Sequence, residues 1–134
     1  MNDLNYLAIA AAAVAAFVLS SVYYGAFGKQ LAELNPAYAT VPGSSSTPPV
    51  WKMLVELVRC LVVALVLAGL AAELSIVDWT GAVTLGLVLW IGFPVVLWTG
   101  AVMWEKVPLR LAVIHAGDWL VKVLLIAIIV RVWN

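Results

Sequence analysis

Cysteine, histidine and charge are all scarce in this chain, and each scarcity excludes something. There is one cysteine in 134 residues, Cys60, inside an apolar run. No intrachain disulfide can form, and no metal-ligand spacing exists around it, so it reads as a small core residue. One histidine, His115, leaves no partner for a His-Glu-x-x-His zinc site and makes only a weak haem signal. Ser-x-x-Lys, Gly-x-Ser-x-Gly and paired-cysteine patterns are absent as well, which speaks against an enzyme, a metal centre or any cofactor. Seven Lys plus Arg balance seven Asp plus Glu, so no basic excess points to nucleic acid.

What fills the chain instead is hydrocarbon. Hydrophobic residues make up 66% of it, and mean hydropathy is +1.11, far above soluble domains. The expected class is an all-α integral membrane protein. About 20 apolar residues cross a bilayer, and four runs reach that length: residues 5–27, 51–73, 79–104 and 109–132. Together they form one membrane domain, a four-helix bundle over residues 1–134 whose surroundings are lipid. Met1-Asn2-Asp3 lacks the positive region of a signal peptide, and the following run is as long as a span, so it reads as a retained first helix.

Small residues mark expected helix contacts. Ala8, Ala12 and Ala16 in the first span and Ala64, Ala68 and Ala72 in the second recur every four residues, a spacing that lets helices approach closely. Residues 28–50 form a long loop. Lys29 to Leu34 reads as a short interfacial helix, and the tract Pro42-Gly43-Ser44-Ser45-Ser46-Thr47-Pro48-Pro49 reads as mobile. Pro94 should kink the third span. Pro108 suits the start of the fourth.

Lys29, Lys52, Lys106 and Arg110 flank the first and third loops, whereas Arg131, with Asp3, Glu73 and Asp78, lies at the other side. Basic residues stay on the cytoplasmic side, so both termini are expected outside a bacterial cytoplasmic membrane, with loop 28–50 in the cytoplasm. The second and fourth spans then run in the same direction, and depths compare at about 1.5 Å per residue. Counting from Trp51 and Leu109, Glu56 lies roughly 7 Å deep, His115 9 Å, Arg59 12 Å, Asp118 13 Å and Lys122 20 Å. On a helix His115, Asp118 and Lys122 fall within about 60° of one another. The expectation is one polar layer in the cytoplasmic half, in which Arg59 meets Asp118, Glu56 reaches His115, and Lys122 bonds back to Asp118. Ser20, Ser21, Tyr24, Trp98 and Thr99 come to the same level and would support it.

With both acids ionised, both bases protonated and His115 neutral, that layer carries no net charge, which burial requires. Two uses fit it. The layer can hold helix register, as in a non-catalytic membrane scaffold or accessory subunit whose Trp-rich third helix meets a membrane protein partner. Alternatively, it can serve a small channel or proton-linked transporter, with His115 relaying protons. Four such helices barely enclose a pore alone, so a homo-oligomer is expected.

Phe17, Leu19, Tyr24, Gly25, Phe27, Gly28 and Lys29 follow a Phe-x-Leu-Gly-x-x-Trp-Tyr-Gly then Phe-Gly-Lys pattern, with Ser20 and Tyr23 replacing a glycine and a tryptophan. In this the chain resembles the small bacterial membrane proteins grouped as domain of unknown function 1761. Ile114-His115-Ala116-Gly117-Asp118-Trp119-Leu120 is similar to that family's Asn-Ala-Gly-Tyr segment, with His115 and Asp118 standing where the pattern has Asn and Tyr. The resemblance extends over nearly the whole chain. It implies a four-helix membrane domain and no activity.

Overall fold

A computed structural model describes residues 5–34 and 50–133. Asn5 starts the first helix by accepting a hydrogen bond from the Ala8 amide at 3.1 Å, which satisfies one of the amides a helix start leaves open. The helix that follows, α1 (Tyr6–Ala26), ends at Phe27, and the short α2 (Gly28–Leu34) follows almost without a break. Then come α3 (Val50–Glu73), α4 (Trp79–Trp90), a π turn (Ile91–Val95), α5 (Val96–Trp104) and α6 (Leu109–Val132). Because α4, the π turn and α5 form one span, four helices among the described residues are long and apolar enough to cross a membrane: Tyr6–Ala26, Val50–Glu73, Trp79–Trp104 and Leu109–Val132. The tract Pro42–Pro49 and its expected mobility lie outside the described residues.

The break in the third span has a local cause. Pro94 has no amide hydrogen and its ring crowds the carbonyl four residues back, so the helix widens to a π turn around it. At the end of α3, Ser75 takes a left-handed φ of 54°. The Ile76 amide returns to Ala71 O at 2.9 Å and the Ser75 amide to Ala72 O at 3.1 Å. This is a Schellman ending, with serine where glycine is usual. Asp78 then caps α4 through the Gly81 amide at 2.9 Å.

Packing centres on α6, which touches α1, α3, α4 and α5, while α1 also packs on α3. Its buried positions, Leu111, His115, Asp118, Lys122 and Ile126 among them, recur at spacings of four and three, so a continuous stripe faces inward. The small-residue expectation holds for α1, where Ala8, Ala12 and Ala16 are fully buried. On α3 the inward seam runs Cys60, Ala64, Leu67, Ala68, Ala71, so its last member is Ala71 and not Ala72. A four-residue spacing repeated three times drifts about 40° per step on a 3.6-residue helix, and Ala71 stays closer to the seam. A second cluster forms at the α2 end, where fully buried Leu31 meets Leu111 and Ile114, with Tyr23, Tyr24 and Phe27 around it. Apart from Glu56 and Arg59 on α3, the outward faces of the spans are largely hydrophobic. Val58, Val62 and Val66 on α3 and Phe93, Val96 and Leu97 along the third span are more than half exposed, as lipid contact requires. Asn5 Nδ2 also donates to Trp133 O at 3.3 Å, so the start of α1 and the end of α6 lie at the same end of the bundle.

At Gly117, on the α1–α6 contact, an added Cβ would run into the Tyr23 hydroxyl. No such obstacle exists at Gly92 or Gly100. Gly117→Ala should therefore cost about 1–3 kcal/mol. Tyr23→Phe in the same chain should restore part of that loss, and Gly100→Ala should be near neutral, as read by unfolding midpoints in detergent; equal losses at Gly117 and Gly100 would refute the contact.

Candidate functional site

Three ionisable side chains on α6 point into the bundle, and each meets a group that its chemistry needs. Asp118 is 2% exposed. One carboxylate oxygen accepts from Ser20 Oγ on α1 at 2.7 Å, and the other faces Lys122 Nζ at 3.2 Å. Lys122 sits one turn further along the same helix and is 4% exposed, with its ammonium 4.7 Å from the centre of the Trp119 ring. A buried carboxylate and ammonium are costly alone and tolerable when paired and hydrogen-bonded. Here the helix supplies the pairing by i,i+4 geometry, and the aromatic face adds a cation–π contact.

One turn toward the α2 end, the Tyr24 hydroxyl and His115 Nδ1 lie 2.6 Å apart, a hydrogen bond whose donor depends on the imidazole tautomer. Trp98 from α5 stacks on the imidazole at 4.6 Å between centroids and 7° between planes. Two further bonds fasten α6 to its neighbours through backbone carbonyls. Tyr23 OH donates to Ile114 O at 2.7 Å, and Trp90 Nε1 donates to Ala116 O at 2.8 Å. Indole and phenol groups are suited to this, each pairing a large apolar body with one donor.

The structure thus brings together Ser20, Tyr24, Trp98, His115, Asp118 and Lys122. It does not bring Glu56 and Arg59 to them. Those two pair with each other one turn apart on α3, with side chains 42% and 56% exposed. The expected Arg59–Asp118 pair is corrected accordingly. The inward seam of α3 passes through Cys60 and Ala64, and Arg59, about 100° round the helix from Cys60, is turned outward. The single neutral layer becomes two separately neutral pairs. Ser21 and Thr99 also stand apart from the network, because their hydroxyls bond back to their own helices, at Phe17 O and Val95 O. Tyr23 and Trp90 were the members that sequence reasoning missed. Tyr23 carried a visible signal, since it stands next to Tyr24 on a helix whose small face was already assigned. Trp90 carried none, because its donor meets a backbone carbonyl.

The buried polar side chains, Ser20, His115, Asp118 and Lys122, end at Lys122. From Val123 to Val130 the inward face of α6 is apolar, packed on Ile9, Ala12 and Ala13 of α1 and Leu67, Ala68 and Ala71 of α3. Among the described residues no group of three or more metal-ligating side chains is present.

Fold and site together define a multi-pass membrane protein of four spans with an ion pair locked inside the bundle. The family model described as Protein of unknown function (DUF1761) matches residues 7–131, and the chain belongs to that family. No curated protein and no solved structure matches it.

Asp118→Asn and Lys122→Met each leave a buried charge without its partner and should each cost about 3–5 kcal/mol. The double substitution should be less damaging than either single change. Thermal midpoints of the four proteins in one detergent check this, and a double change as costly as the sum would refute the pairing.

Proposed function

We propose that this protein is a non-catalytic membrane scaffold or accessory subunit that acts by associating with a second copy of itself. One observation carries the reading: the Glu56–Arg59 pair lies on the outward face of α3, half-exposed, about 7–12 Å past Trp51 along a membrane span. Charged groups at that depth persist where protein or water covers them. The same pair on a two-fold related copy offers the complementary charges, Glu56 to Arg59 and Arg59 to Glu56, that a symmetric interface needs. The buried Asp118–Lys122 pair has a structural role in this account, since the Lys122 ammonium faces a carboxylate and an aromatic ring. The basic bias of the first and third loops supports a bacterial cytoplasmic membrane, with both termini outside.

A second reading, proton-linked transport or a small channel, is favoured by the His115 geometry. An imidazole held by Tyr24 and stacked on Trp98 is a titratable group of the kind proton relays use. A path through one copy would still have to open the apolar packing between Lys122 and Arg131.

Two measurements separate them. Energy transfer between donor- and acceptor-labelled copies in dilute proteoliposomes should exceed that of a non-interacting membrane protein, and Glu56→Gln with Arg59→Gln should reduce it. Transfer at the control level would remove the association reading. Proton and small-ion flux should equal that of empty liposomes from about pH 5 to 8, where histidine titrates. A flux that His115→Asn abolishes would replace the scaffold with the transporter.

A further inference from the structure

At the end of the bundle opposite the His115 network, a pocket of about 200 Å³ opens between α1, α3 and α6. Its lining is mixed, with Ile9, Ala68, Ala72, Ile76 and Val130 among the apolar members and Asn5, Ser75 and Arg131 as the polar ones. Asn5 is already engaged, with its oxygen on the Ala8 amide and its nitrogen on Trp133 O. Arg131 is different. Its Nε is buried and has no hydrogen-bond partner, and among the described residues it makes no ion pair. A place in the last turn of α6 suits a cation, because the helix dipole is negative there. That effect explains the residue type and leaves the buried donor unanswered, and such a donor calls for an acceptor.

We propose that this pocket holds the phosphate of an anionic phospholipid, with Arg131 as its anchor. Three features select that chemistry. A guanidinium presents a planar fork of donors that matches phosphate oxygens in a two-point contact, and Arg131 lines the pocket. Arg131 is the penultimate residue of its span, and Asn5 precedes the first span by one residue, so the site lies at headgroup depth. The alanine and isoleucine walls suit the glycerol and first methylenes of a lipid; a free hydrated ion would gain nothing from them. The acyl chains are left to the outer surface of the bundle, where Leu7 and Leu74 are exposed. Ser75, held in its left-handed turn by the Schellman bonds, is part of the lining.

The test uses the full chain in mixed micelles containing equal phosphatidylglycerol and phosphatidylcholine, with retained lipid read by native mass spectrometry. Phosphatidylglycerol should be retained in preference to phosphatidylcholine. Arg131→Gln should weaken its binding roughly tenfold, as loss of a charge-assisted contact implies. Ala72→Phe, which fills the pocket and keeps the arginine, should weaken it as well and decides the matter if the arginine variant does not fold. Sodium phosphate at millimolar concentration should neither displace the lipid nor raise the thermal midpoint. Equal retention of the two lipids, unchanged retention in both variants, or a rise in midpoint with phosphate matching that with phosphatidylglycerol would each overturn the assignment.

Discussion

Everything inside this bundle is arranged around the Asp118 carboxylate. An ionised oxygen pair in hydrocarbon is tolerated only when each oxygen meets a donor. One donor comes from the same helix, Lys122, and the other from α1, through Ser20. The second is what ties two spans together. Ser20 reaches the carboxylate because the small face of α1, fully buried at Ala8, Ala12 and Ala16, lets the helix axes come close. The Tyr23 hydroxyl over Gly117 and the Trp90 indole on Ala116 O then hold α6 from two sides. Polar specificity and close packing are thus one arrangement along α1 and α6.

The distribution of charge follows from it. Each charged pair that matters is neutral within one helix, Asp118 with Lys122 and Glu56 with Arg59. A helix carrying its own counter-charge can be placed in a bilayer without waiting for a partner, which removes the cost of an isolated buried ion. The two pairs have opposite surroundings. One is sealed by protein, and the other is turned outward along α3, where the account of association rests. Arg131 is the exception to this economy of pairing: its buried Nε has no acceptor in the bundle, and the apolar walls beside it describe the kind of molecule that would supply one.

The class, the spans and the inward face of α6 are legible in the residues alone. Length and hydropathy set four runs long enough to cross a membrane, and period alone put His115, Asp118 and Lys122 on one stripe, because 3.6 residues per turn leaves little freedom. Lys122 to Asp118 was legible for the same reason, being a contact within one helix. Contacts between helices depend on the rotation of each helix about its axis, which matched depths do not supply. Equal depth pointed to Arg59 and Asp118 as partners; only the tertiary structure decided that α3 turns Cys60 and Ala64 inward and Arg59 outward. The stripe of small residues on α3 was the available signal, since its extension by four residues from Ala64 passes through Cys60. A donor that meets a backbone carbonyl, as Trp90 does, and a pocket shared by the start of α1 and the ends of α3 and α6 leave no pattern in a linear sequence. They exist only once packing brings those segments to one place.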